Sequence, residues 1–268
     1  MKYAFAALCA SAALIASPAV AQSPHETRSG NGFGASLTTG IDYSIGDYGA
    51  SGDTKILVAP ISLRVKRGNI RLGATLPYLR IDGPGNIVGS GNSGPVVIDP
   101  KDPAPRVVRK GLGDVSLSAS YSIPNQGLHG FEVDVGGRVK LPTSSAKKRL
   151  GTGKADLAVT LDVARPIGSF APFVSVGYRM PGNVDGVELR NSAITSVGTT
   201  VTAGSTTFIA SYDYSAAASD LAKDSHSLFG GLNVPVNNRL SFTGYGAAGL
   251  NNGAPDFGGG LLLSARIF

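Results

Sequence analysis

The chain has 268 residues, with 24 basic and 18 acidic side chains, 37 glycines, one cysteine and no tryptophan. One cysteine excludes a disulfide framework and a thiolate metal centre. The net charge of +6 is scattered rather than gathered into a patch, so a nucleic-acid partner is not expected.

The chain opens with Lys2, an apolar run over 4–15 and the small residues Ala19 and Ala21 flanking Val20. This is the pattern of a secretory signal cleaved before Gln22. The run is too short for a membrane-spanning helix of about 20 residues. Leu8 before Cys9 does not fit a lipoprotein site. The expected division is a signal over 1–21 and one β-barrel domain over 22–268. After Ala21 no stretch is long and apolar enough for a transmembrane helix.

From there on the pattern has period two. In 114–123 Val115, Leu117, Ala119, Tyr121 and Ile123 alternate with Asp114 and four serines. In 131–141 Phe131, Val133, Val135, Val139 and Leu141 alternate with Glu132, Asp134, Arg138 and Lys140. Successive side chains of a strand point to opposite faces, so each segment has one apolar and one polar face. Twelve such segments follow one another: 34–45, 54–66, 69–81, 112–123, 130–142, 155–165, 170–181, 187–201, 205–216, 225–234, 239–249 and 256–268. Each is near the 9–11 residues that a tilted strand needs to cross a bilayer. Their connections alternate between short and mostly longer, as periplasmic turns and extracellular loops do. The expected fold is therefore all-β, a transmembrane antiparallel up-and-down barrel of about 12 strands in the outer membrane of a Gram-negative bacterium. The long connection 82–111, rich in Gly and Pro, reads either as an inward-folded constriction or as a surface loop. Aromatics near segment ends, Phe173 and Tyr178 among them, read as interfacial girdles.

If the apolar faces meet lipid, Asp114, Glu132, Asp134, Arg138, Lys140, Asp156, Asp162, Arg179, Glu188 and Arg190 line the lumen. Asp42, Arg64, Arg71 and Asp213 share their parity. Charges of both signs can plug a narrow barrel or line a hydrated path. By the same parity Val135→Arg puts a charge in lipid, whereas Gly136→Arg is expected to be better tolerated. No catalytic residues are expected. His226 and Ser227 are adjacent and so face opposite sides, which prevents a Ser–His pair. Gly151-Thr152-Gly153-Lys154 lacks the first glycine and following helix of a phosphate loop. Neither a cofactor nor a metal is expected.

Gly111-Leu112-Gly113-Asp114-Val115, Val139-Lys140-Leu141-Pro142-Thr143, Leu150-Gly151-Thr152-Gly153 and Pro172-Phe173 through Gly177-Tyr178-Arg179 resemble motifs of the outer-membrane family named for the meta pathway of phenol degradation. Ser144 stands where that family often has Gly. The resemblance implies a channel or transporter for small, often aromatic or hydrophobic, compounds and supplies no catalytic residue. Phe268 resembles the terminal aromatic read by the barrel-assembly machinery, although Arg266 and Ser264 stand where such tails are apolar. The expected partners are outer-membrane lipid and lipopolysaccharide, the assembly machinery through Phe268, and a small-molecule solute. The alternatives are a non-conducting structural or adhesion barrel and a lipid-modifying hydrolase.

Overall fold

The structure, a computed structural model, describes residues 32–48, 52–85, 87–88, 96–97, 105–124, 126–182, 189–220 and 222–268. The proposed cleavage site and Glu188 lie outside them. The strands are β1 (Phe33–Gly46), β2 (Thr54–Arg67), β3 (Ile70–Pro84), β4 (Ile87–Val88), β5 (Val96–Val97), β6 (Arg106–Leu112), β7 (Val115–Ile123), β8 (Glu132–Leu141), β9 (Asp156–Ala164), β10 (Phe170–Met180), β11 (Ser192–Ala203), β12 (Thr206–Ser215), β13 (Ser225–Pro235), β14 (Leu240–Gly249) and β15 (Phe257–Arg266). β6 and β7 are two halves of one wall strand, interrupted at Gly113-Asp114, and both pair with β3. Every wall pairing is antiparallel between sequence neighbours, and β15 returns to β1 from Ser36↔Arg266 to Ile45↔Phe257. The result is a closed barrel of 12 strands.

The two faces decide which solvent each meets. Leu37, Ile41, Leu57, Ile61, Leu117, Val135, Val159, Val176, Leu228 and Leu261 are exposed, while Thr38, Asp42, Ser62, Asp134, Asp162, Ser196 and Ser227 are buried. A soluble sandwich reverses this arrangement. An apolar exterior around a polar interior is the pattern of a barrel in lipid. Short turns join the strands at one rim. Two of them are two-residue turns in which Gly68 and Gly204 take positive φ (58° and 61°), a conformation that glycine adopts without steric cost. Both ends of the barrel also lie at this rim. The longer connections gather at the other, which by the same rule is extracellular. A tag inserted beside Lys148 should therefore be reached by antibody on intact cells, and one at Gln126 should not. Labelling at Gln126 would invert the orientation.

Three boundaries differ from the sequence expectation. The connection expected over 82–111 is partly strand: β3 continues to Pro84, β6 begins at Arg106 and pairs with it, and Ile87–Val88 pairs with Val96–Val97. Gly83 and Pro84 read as a turn, but Gly83 is small because Thr54 packs where its Cβ would stand. Proline at a strand end also removes no needed ladder hydrogen bond. β11 begins at Ser192 rather than near 187. In the last strand Leu261 and Leu263 face out while Leu262 and Ser264 face in, and Phe268 follows the strand end with its ring 6.1 Å from that of Phe33.

Val135 is 46% exposed at mid-strand. Val135→Arg should cost about 2–4 kcal/mol near the bilayer midplane, read as a lower denaturant midpoint in lipid. Gly136→Arg, expected to be better tolerated than Val135→Arg, needs the Thr160 side chain to shift, because a Cβ there would lie 2.6 Å from its Oγ1.

Candidate channel lumen and mouth

The motif residues converge at the extracellular end of the barrel. Asp114 sits in the break between β6 and β7, Lys140 near the end of β8 and Asp156 at the start of β9. Their relative exposures are 1%, 3% and 6%. Lys140 Nζ lies 2.8 Å from Asp156 Oδ2 and 3.4 Å from Asp114 Oδ2, and donates to Thr152 Oγ1 at 3.0 Å. Asp114 Oδ1 accepts the amide of Ser144 at 2.9 Å. Thr143 Oγ1 accepts the amide of Val115 at 2.8 Å, and Asp156 Oδ1 that of Gly182 at 3.0 Å. A Cβ on Gly151 would collide with the Asp114 carboxylate. One buried ammonium between two carboxylates thus fastens the connection 142–155 to the wall. The Gly151-Thr152-Gly153-Lys154 run belongs to that fastening.

The fastened loop carries one apolar side chain into the barrel. A 3-10 turn, Ala146–Lys148, precedes Leu150, which is 1% exposed and packs with Tyr48, Ile56, Val58, Leu79 and Ile81. Ile56 and Val58 on β2 stand opposite Ile81 and Leu79 on β3, all four turned inward. This apolar lining escaped the sequence reading, because Ile56 to Ile61 is a continuous apolar run whose faces alternation cannot separate. The run itself was the available signal. Arg149 Nη1 donates to the carbonyl of Gly85 at 2.5 Å and joins this loop to the end of β3.

Deeper in, the interior is polar and densely bonded. Arg71 pairs with Asp134 at 3.0 Å and donates to Ser120 at 3.2 Å. Ser175 donates to Asp162 and Ser196 to Asp213, each at 2.5 Å. Arg179 donates to Ser192 (3.2 Å) and Ser215 (2.8 Å). Glu132 is buried and Arg138 half-buried on the inward face of β8. Across the lumen, Tyr245 donates to Asp42 at 2.5 Å and stacks on Phe229, ring centroids 5.7 Å apart. Inward ionic groups therefore concentrate on β8–β10, joined by Arg71 of β3, while apolar and aromatic ones gather at the extracellular end of β2–β3 and on β13–β14.

Two sequence assignments change. Arg190 is not inside: it precedes β11, is more than half exposed and pairs with Asp220 at 2.6 Å. The sequence alternation continues upstream of the true strand start at Ser192. Phe173 is not a girdle residue: it is 5% exposed and faces inward against Gly198. His226 lies on the outer face, its Nδ1 2.5 Å from the Tyr212 hydroxyl, while Ser227 is buried.

The family model "Putative MetA-pathway of phenol degradation" matches residues 57–267. No curated protein matches the chain. Among solved structures, an outer membrane channel from Pseudomonas putida F1 superposes with a TM-score of 0.65 at 12% identity, over 91% of this chain and 99% of that one. The translocator domain of the autotransporter NalP from Neisseria meningitidis gives 0.49 at 11% identity, over 89% and 90%. A monoaromatic hydrocarbon channel, CymD, gives 0.43 at 11% identity, over 99% and 94%.

Proposed function

This chain belongs to the family of the MetA pathway of phenol degradation, and on that premise we propose that it passes small, largely apolar, often aromatic compounds across the outer membrane. The observation that carries the reading is the apolar inward cluster at the extracellular mouth, capped by Leu150, in a barrel whose interior elsewhere is largely polar with scattered apolar side chains such as Phe173 and Leu262. Transfer of an apolar solute from water to such a lining is favourable in proportion to the area removed from water. A sugar gains nothing comparable there. In this reading Glu132, Asp134, Arg138 and Asp162 line the path below the mouth, Asp114, Lys140, Asp156 and Arg179 stand at its extracellular end, and their ion pairs hold the wall. An adhesion barrel has no need of an apolar inner mouth. A hydrolase needs a nucleophile and base on one face, whereas His226 and Ser227 lie on opposite faces. The secretory signal over 1–21 and assembly through Phe268 belong to the same reading.

The test is uptake by intact cells, whose lipopolysaccharide leaflet slows apolar solutes. Expression of the chain should raise the initial uptake rate of a radiolabelled alkylphenol and leave that of a disaccharide unchanged. Equal stimulation of both would favour a general pore, and stimulation of neither a structural barrel.

A further inference from the structure

Among the described residues, the outer face of the barrel carries a cluster of basic side chains at its extracellular end. Arg80 on β3 stands directly opposite Lys110 on β6 and, on its other side, Leu57 of β2. Lys55 stands opposite Asp82, two residues further along the same face. Lys55, Arg80 and Lys110 are exposed, and none has an ion-pair or hydrogen-bond partner among the described residues. Of the nearby acids among the described residues, Asp82 is held by Arg106 at 2.6 Å, and Asp53 forms no ion pair with any of the three. Immediately toward the membrane on the same face come Leu57, Tyr78 and Leu112, all exposed.

Like charges directly opposite on neighbouring strands destabilise a sheet, and here they sit uncompensated at the edge of an apolar band. The corresponding outward positions elsewhere on this rim include Ile45, Leu141, Leu157, Tyr178, Leu228 and Phe257, so the cluster is local to β2, β3 and β6. An anion at the boundary between headgroup and acyl chain would relieve the repulsion while its acyl chains cover Leu57, Tyr78 and Leu112. We infer that Lys55, Arg80 and Lys110 form a binding site for the phosphorylated glucosamine headgroup of lipid A in the outer leaflet. Two phosphates on one headgroup match three cations spread over neighbouring strands, and Arg80 supplies the fork that grips phosphate bidentately.

The experiment measures binding of bisphosphorylated lipid A to the purified full-length barrel in detergent by native mass spectrometry. The same lipid lacking both phosphates and phosphatidylglycerol serve as comparisons. The wild type should prefer the bisphosphorylated lipid, and K55Q/R80Q/K110Q should lose about fivefold in affinity per charge removed. Arg67→Gln, on the outer face at the opposite rim, should change nothing. Heat-modifiable migration reports whether each variant is folded. Should the triple variant fail to fold, a salt titration of the wild type decides, because binding through exposed charges must weaken as salt rises. Undiminished affinity in the folded triple variant, indifference to the phosphates, equal binding of phosphatidylglycerol, or salt-independent binding would each overturn the site.

Discussion

Lys140→Met should destabilise the barrel by about 3–5 kcal/mol, because it leaves the buried carboxylates of Asp114 and Asp156 without their cation. The ammonium lies 2.8 and 3.4 Å from them, and all three side chains are nearly inaccessible to water. Methionine keeps most of the volume, so the loss is electrostatic rather than a cavity. The triple variant K140M/D114N/D156N should recover much of that loss, since replacing every member of a buried ionic cluster removes the desolvation penalty with the attraction. Denaturant unfolding in lipid, followed by the heat-modifiable band, measures both. If Lys140→Met unfolds at the wild-type midpoint, the cluster does not hold the wall.

Leu150→Asp should open the mouth. The substitution puts a carboxylate among Tyr48, Ile56, Val58, Leu79 and Ile81, where burying it without a partner costs far more than burying leucine. Expelling the loop is the cheaper response, because its tip already lies at the rim. Single-channel conductance in planar bilayers should rise clearly above wild type, and preference for apolar over sugar solutes should fall. Leu150→Ala is the milder case: it costs about 2–5 kcal/mol of local packing and should make openings more frequent rather than permanent. Conductance unchanged by Leu150→Asp in a folded barrel would mean that Leu150 does not limit the path. Neutralising Arg138 as well as Lys140 should shift reversal potentials toward cations, since Asp114, Asp134 and Asp156 remain.

Much of the wall was legible because lipid on one side and polar groups on the other impose a strict alternation. Ser116, Ser118, Ser120 and Ser122 against Leu117, Ala119 and Tyr121 fix which side chains turn inward. Where both faces are apolar, as from Ile56 to Ile61, the pattern locates the strand but not the lining, so the mouth was invisible. Parity put Asp114, Lys140 and Asp156 on one side of their strands. It could not foresee that Lys140 sits between the other two, since pairing depends on stagger between strands. β6 was missed for a different reason: Gly111 has φ of 153°, and its would-be Cβ abuts Leu150. A glycine chosen by a packing partner about forty residues away reads locally as a turn. Arg190 shows the reverse error, periodicity carried past the point where hydrogen bonding stops.

The seam between β1 and β15 has a consequence for how the chain is made. It joins ten registered pairs, with Thr38 and Ser264 sharing a hydrogen bond across 226 positions of sequence. Synthesis and export deliver β1 first and its partner last. Until then two sheet edges stand open, each a template for pairing with another chain. A product that stops anywhere before β15 cannot become a smaller, working barrel: it keeps both edges unpaired in a bilayer that offers their amides no water. Chain completeness is thus tested by closure itself, and only a chain translated to its final strand escapes aggregation or proteolysis.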